Sequence, residues 1–215
     1  MTDFAAARRQ MVDSQVRTAD VTDRRILAAM LDIPRERFVP SAYAGLAYAD
    51  LDVPVDGTRR LLTPMVLAKL IQALDLDAGD RVLDVGCATG YGAAVLSRVA
   101  GHVVALEEET GLAQFAQSAL SDQSNVTVVR GSLTAGWPQA TLYDAILLEG
   151  AVEQVPAALL QQLKDGGGLG CVLGTRPFAK ATIYRRSGDD MGERAIFDAS
   201  AALLPGFMRP PAFAF

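Results

Sequence analysis

The sequence is poor in the residues that most often carry acid–base, redox or metal chemistry. It has one histidine, two cysteines and one tryptophan in 215 residues. A single histidine, His102, leaves no basis for a His-ligated metal centre or a Ser-His-Asp triad. His102 opens an apolar run and reads as a packing or surface residue. Cys87 and Cys171 are far apart and have no second pair, so neither a disulfide framework nor a zinc site is indicated. They read as buried free thiols in a reducing compartment. An excess of positive charge is also missing. The formal net charge is −5, which gives no electrostatic reason to expect nucleic acid. Small basic pairs such as Arg8-Arg9, Arg24-Arg25 and Arg59-Arg60 read as solvated faces. No apolar run reaches the length of a membrane span. The N-terminal stretch lacks the apolar core and basic head of a secretory signal, so a cytoplasmic location is expected.

What is present is an ordinary globular composition, half apolar and about a fifth charged. The most informative stretch is Arg81-Val82-Leu83-Asp84-Val85-Gly86-Cys87-Ala88-Thr89-Gly90-Tyr91-Gly92. A short apolar run ends beside an acid, turns through glycines and enters a run of helix formers. That predicts a strand, a tight turn and a helix. Glycines in such a turn let a ligand approach the backbone closely. A second acid, Glu107, closes the next apolar run about 20 residues on, the offset at which a βαβ unit offers a carboxylate to a ribose diol. The order Gly86-x-x-x-Gly90-x-Gly92 fits neither the dinucleotide Gly-x-Gly-x-x-Gly nor a P-loop. Asp84-x-Gly86-x-x-x-Gly90 resembles instead the first motif of class I S-adenosylmethionine (SAM) methyltransferases. That resemblance implies that Asp84, Gly86, Cys87, Ala88 and Gly90 surround the methionine end of SAM. It also places Glu107 on the ribose.

The rest of the chain reads as one domain, 1–215. Residues 1–60 form an N-terminal helical and loop extension, and 61–215 form a Rossmann-like core. Helices are expected over Asp3–Val16, with Thr2 or Asp3 as cap, and after Thr22 or Asp23, with Ile26, Leu27, Met30 and Leu31 on one side. Pro34 stops the second. Leu51–Val55 is expected as a short edge strand, because its proline excludes a central position. Thr63-Pro64 opens a helix with a cap and an N1 proline, its buried stripe being Val66, Leu67, Leu70, Ile71 and Leu74. From Arg81 strands and helices alternate, the mark of a parallel sheet covered on both faces. Strands are expected over Arg81–Val85, His102–Leu106, Val126–Arg130, Tyr143–Leu148 and Leu169–Leu173. The helices between them are Tyr91–Ala100, Thr110–Ser121 and Pro156–Lys164. Antiparallel strands follow at Ala181–Arg186, Ala195–Asp198 and Pro211–Phe215, with Ser187–Asp190 as a turn. The fold class is therefore α/β: a doubly wound, mostly parallel sheet with antiparallel C-terminal strands. Ligands bind such sheets at the carboxyl ends of the strands, which collects Asp84–Gly90, Glu107, Gly131–Leu133 and Glu149–Ala151 on one edge. The tail Leu203–Phe207 is expected to pack on the sheet.

Further motifs make the resemblance more specific. Met11-Val12-x-x-Gln15-Val16-Arg17, Pro34-Arg35-Glu36-x-Phe38-Val39-Pro40 and Ala47-Tyr48-x-Asp50 are similar to the N-terminal part of the protein-L-isoaspartate O-methyltransferase family. Gly136-Trp137-Pro138, Tyr143-Asp144-Ala145-Ile146, Val155-Pro156-x-x-Leu159, Gln162-Leu163-Lys164 and Gly166-Gly167 continue the match. The resemblance implies SAM as cofactor and methylation of the α-carboxyl of isoaspartyl residues in damaged proteins, a repair reaction. The partner would be a protein or peptide, with neither nucleic acid nor membrane, and the chain is read as a monomer.

Three positions depart from the family pattern. The acceptor-side segment Gln-Thr-Ile-Ser-x-Pro is here Arg59-Arg60-Leu61-Leu62-Thr63-Pro64, so Leu62 replaces the hydroxyl residue and Thr63 is the nearest substitute. Gly-Asp-Gly after the third strand is Gly131-Ser132-Leu133, which leaves Ser132 near the adenine. Glu149 stands where a small or hydroxyl residue is usual. It could repel an acceptor carboxylate, serve as a base, face solvent, or pair with Arg59 or Arg60. Leu62, Thr63 and Glu149 are thus the expected border of the methyl group and its acceptor. A changed acceptor, or SAM binding without transfer, remains open.

Overall fold

A computed structural model describes residues 3–140 and 142–209, and the expected terminal strand Pro211–Phe215 lies outside them. Helix α1 (Phe4–Met11) is capped by the Asp3 carboxylate, which accepts from the Ala6 amide. A π turn (Val12–Val16) and a 3-10 turn (Arg17–Ala19) then continue the single helix the sequence suggested. Helix α2 (Arg24–Asp32) is capped by Asp23 and buries Ile26, Leu27 and Met30. Leu31, expected on that face, is instead 36% exposed. The segment Arg35–Leu46 forms two 3-10 turns.

Strand β1 (Val53–Asp56) begins two residues later than expected. It pairs antiparallel with β2 (Arg59–Leu61) in a separate two-stranded sheet. The second strand has no signature of its own in the sequence: three residues with two arginines carry no alternation long enough to read. Helix α3 (Pro64–Leu74) follows the expected start, with the Thr63 hydroxyl accepting from the Val66 amide and the whole expected stripe buried.

The main sheet has seven strands in the order β5-β4-β3-β6-β7-β8-β9. These are β3 (Arg81–Val85), β4 (His102–Glu107), β5 (Val126–Arg130), β6 (Tyr143–Val152), β7 (Leu163–Leu173), β8 (Lys180–Ser187) and β9 (Asp190–Asp198). The first five are mutually parallel, and β8 and β9 add on antiparallel. The connecting helices α4 (Tyr91–Leu96), α5 (Thr110–Ala119) and α6 (Ala157–Leu160) are shorter than expected, and β6 and β7 are longer. Register shifts in the β6–β7 pairing explain part of that length. The strands continue past irregularities at Asp144 and at Leu148–Gly150, where apolar periodicity ends.

Side chains alternate across the sheet with period two. Val82, Val103, Ala105, Ala145 and Leu147 join a core with α1 to α4. Leu83, Val85, Val104, Leu106, Ile146 and Leu148 join the opposite core, with Leu159, Leu204 and Phe207. The same alternation assigns Asp84, Glu107 and Glu149 to the first face. Three acids from three neighbouring strands therefore converge at the strands' carboxyl ends. Among the described residues, no helix is long and apolar enough to cross a membrane.

Candidate cofactor and acceptor site

The turn after β3 is held in an unusual backbone path. Gly86, Ala88 and Gly90 have φ of +76°, +51° and +94°. Ala88 adopts this conformation without being glycine, a strain that persists only where surroundings enforce it. The enforcing contact is visible: the Ala88 amide donates to Glu107 Oε2 at 2.8 Å. The Thr89 hydroxyl adds a second tether, donating to the Phe38 carbonyl at 2.6 Å. The loop thus binds the β-sheet core to the N-terminal extension.

Glu107 is fully buried, and its carboxylate is saturated. Oε1 accepts from the amides of Glu108 and Glu109 at 2.9 and 3.1 Å and from Arg59 Nη1 at 2.6 Å. Oε2 accepts from Ala88 and from Arg59 Nη2 at 2.9 Å. Arg59 Nη2 also donates to the Gly86 carbonyl at 2.8 Å. Arg59 therefore pairs with Glu107. The possibility that it pairs with Glu149 is corrected by this geometry.

Glu149 does not face solvent either; it is 4% exposed. Its carboxyl lies over α4, where a Cβ built on Gly92 would fall 1.9 Å from Oε1. Gly92 is the space that admits Glu149. The group faces Asp84, which is fully buried and receives no N–H donor. Two carboxyls in contact away from water cannot both ionise. Burial, then the Asp84 charge, pushes Glu149 well above the ordinary carboxylate range. Burial also raises Asp84, to about 7, with Glu107 adding to the shift. Both carboxyls therefore hold their protons to a higher pH than usual.

Arg35 lies next to this group and is itself fully buried. Its Nε donates to the Ala47 carbonyl and its Nη2 to the Leu62 carbonyl, both at 2.8 Å. Its guanidinium stacks 4.5 Å above the Tyr91 ring. Burial lowers its pKa, with Tyr91 and Glu149 opposing that shift. Arg35 and Tyr91 carry no obvious signal in the sequence beyond the family motif that contains Arg35. They hold the Leu62 backbone against the helix that follows the glycine loop.

The expected border residues divide. Leu62 is 3% exposed, and its backbone is fixed by Arg35. The Thr63 hydroxyl is engaged as the cap of α3. Ser132 follows β5 on the same sheet edge but is exposed, with its hydroxyl 3.1 Å from that of Thr134. Cys87 is buried, and desolvation with the neighbouring carboxylates raises its thiol well above its usual range. His102 lies at the start of β4, at the opposite end of the sheet from these groups.

The tail packs on the sheet, at the edge where a ligand would lie. The Ala151 amide donates to the Ala202 carbonyl, the Leu204 amide to the Ala151 carbonyl and the Glu153 amide to the Phe207 carbonyl. The Leu204 side chain wedges between two glycines. A Cβ on Gly86 would be 3.0 Å from its Cδ2, and one on Gly150 would be 2.7 Å from its Cγ. An open groove of about 930 Å³ lies beside this site. Its wall includes Asp52, Arg60, Thr63, Arg176, Asp198 and Ala202.

The sequence profile described as Protein-L-isoaspartate(D-aspartate) O-methyltransferase matches residues 6–197. The chain belongs to this family. A protein-L-isoaspartate O-methyltransferase 1 of Rhodopseudomonas palustris (strain HaA2) is 38% identical over 194 residues, covering 88% of this chain and 79% of the relative. A protein-L-isoaspartate O-methyltransferase of Methylorubrum extorquens (strain PA1) is 40% identical over 198 residues, covering 91% and 86%. A solved structure with the same family name superposes with a TM-score of 0.79 at 28% identity, covering 93% of this chain and 66% of that one. A Plasmodium falciparum structure, titled as a putative member in complex with S-adenosyl-L-homocysteine, gives a TM-score of 0.75 at 16% identity over 95% and 99% of the two chains. The last likeness concerns the fold.

The side chains at this edge fit the family's nucleoside cofactor in kind: a strained glycine loop, Asp84 at its start and Glu107 at the ribose offset. Their present arrangement leaves no acceptor on Glu107 for a ribose diol, and Leu204 lies against Gly86 where a ligand would approach.

Proposed function

We propose that this chain is a SAM-dependent carboxyl methyltransferase acting on isoaspartyl residues of proteins. The observation that carries the reading is family membership across residues 6–197, joined to the convergence of Asp84, Gly86, Ala88, Gly90 and Glu107 at one sheet edge. Asp84 and the loop would hold the methionine end of SAM, Glu107 the ribose and Ser132 the adenine side. SAM supplies the methyl group as an activated electrophile.

The acceptor is already an anion, so no general base is needed. Alignment and exclusion of water can provide much of the rate. The buried surroundings suit that role. Glu149, protonated against Asp84, carries no charge to repel an incoming carboxylate and acts as a donor to Asp84. Leu62 offers an apolar wall. The groove beside Thr63 offers space for a peptide, and its rim is of mixed charge, with Arg60 and Arg176 among Asp50, Asp52 and Asp198. The chain is read as a monomeric cytoplasmic unit whose partner is a damaged protein, with no role for nucleic acid.

A changed acceptor is the second reading. It is favoured by one observation: Leu62 has no hydroxyl, and the Thr63 oxygen already accepts from the Val66 amide as a helix cap. Incubation with methyl-labelled SAM and paired isoaspartyl and aspartyl peptides separates the two. Base-labile label on the isoaspartyl peptide alone supports the proposal. Bound SAM without transfer to either peptide would move the assignment to another acceptor.

A further inference from the structure

Arg59 is placed where a ligand would be expected. It reaches from β2, outside the main sheet, into the sheet's carboxyl edge. There it makes the bidentate contact with Glu107 that a vicinal diol would make, and it caps the Gly86 carbonyl as well. It is 5% exposed, so this is an internal contact. Against the same Gly86, Leu204 fills the space above Gly86 and Gly150, and its strand-like backbone pairing to Ala151 holds it there. One residue from the N-terminal extension and one from the C-terminal tail therefore close the same cradle. They do so by different means: Arg59 matches the charge of the acceptor carboxylate, and Leu204 matches the shape of the glycine surface.

We infer that Arg59 and Leu204 are internal occupants of the cofactor cradle, and that a nucleoside cofactor enters only by displacing both. The inference rests on the assignment of that cradle to SAM. Displacement has a physical route. The contacts of Arg59 with Glu107 and Gly86 are side-chain contacts on a short two-stranded hairpin. The tail crosses the sheet edge through a few backbone bonds rather than as a strand of the main sheet. Any ligand that needs Glu107 must compete with a guanidinium already in ion-pair contact, so apparent affinity is the intrinsic affinity multiplied by the fraction of molecules in the open form.

Calorimetric titration of S-adenosyl-L-homocysteine into the wild type, Arg59→Gln, Leu204→Ala and the double variant tests this. Circular dichroism and cooperative thermal unfolding are checked first. The expected result is at least about tenfold tighter binding by the double variant than by the wild type, with the single variants between, as the closed fraction falls. The ligand should also raise the melting temperature of the double variant more than that of the wild type. Wild-type affinity equal to that of the double variant overturns the inference, and so does absence of binding by every folded variant. If Arg59→Gln does not fold, Arg59→Lys keeps the charge but loses the fork, and tighter binding by it than by the wild type is then the supporting result. Binding that tightens as expected without transfer to an isoaspartyl peptide leaves this inference standing and removes the acceptor assignment. Transfer by a wild type that binds as tightly as the double variant does the reverse.

Discussion

Arg59 and Glu107 meet through two parallel contacts of 2.6 and 2.9 Å in a site closed to solvent. Their residues come from separate sheets, so the pair fastens the β1–β2 hairpin to the main sheet. Buried ion pairs are costly to break by removing one partner, typically by about 3 to 5 kcal/mol, because the other charge is left uncompensated. Glu107 keeps its three backbone donors when Arg59 is lost, which places the expected cost of Arg59→Gln at the low end, about 3 kcal/mol. Urea unfolding measures it. A double-mutant cycle with Glu107→Gln should show the two changes to be strongly non-additive; additive losses would mean that the pair does not act as a unit.

The raised carboxyls of Asp84 and Glu149 make stability depend on pH. Both groups have ordinary values near 3.8 and 4.5, and both are raised in the folded state, Asp84 to about 7. Between these limits the folded chain binds more protons than the unfolded one, so stability falls as pH rises. The contribution is fully present below about pH 4 and is lost as the pH passes through the raised folded values. Glu149→Gln mimics the protonated form, since its amide can donate to Asp84. It is expected to gain stability relative to the wild type as pH rises from 5 to 8. Parallel stability profiles for the two proteins over that range would mean that Glu149 does not hold its proton to higher pH in the folded state.

The fold was largely legible before the structure. The strand–turn–helix at Arg81–Gly92, the acid at Glu107 and the capped start of α3 all declare themselves through residue type and spacing. The ionic arrangement at the site was not. Which of Arg59 and Arg60 turns inward depends on the pairing register of β1 and β2, and a three-residue strand gives no periodicity to read. Glu149 looked like an edge residue because an isolated acid after an apolar run usually marks a strand end. Its burial depends on two remote features, the missing side chain at Gly92 and the acid at Asp84. Leu204 could be assigned to the sheet from its apolar neighbours, but its position over Gly86 and Gly150 required the coordinates.

Gly92 lies inside helix α4, where glycine normally weakens a helix by roughly 0.5 to 1 kcal/mol relative to alanine. Gly92→Ala should therefore stabilise on propensity alone. The Glu149 carboxyl reverses the sign, since the new Cβ would lie 1.9 Å from Oε1 and overpacking of this kind costs about 1 to 3 kcal/mol. The double variant Gly92→Ala/Glu149→Ala should recover most of that loss. Thermal denaturation of the four proteins decides it: a Gly92→Ala variant as stable as the wild type would show that Glu149 is free to move aside.

Arg35 joins three segments at once. It holds the carbonyls of Ala47 and Leu62, and its guanidinium plane lies on Tyr91 in the helix that follows the glycine loop. A lysine keeps the charge but has neither the fork nor the plane. Arg35→Lys is thus expected to lose one carbonyl contact and the stacking, with destabilisation of about 2 to 3 kcal/mol from a buried carbonyl left unpaired and a weaker cation–π contact. Leu62 loses its anchor in the same step, so the segment Leu61–Val66 should loosen before the sheet does. Hydrogen exchange distinguishes these regions: faster exchange in Leu61–Val66, with unchanged protection in β3 and β4, is the expected pattern. Uniform loss of protection across the sheet would mean that Arg35 supports the whole fold and has no particular hold on this segment.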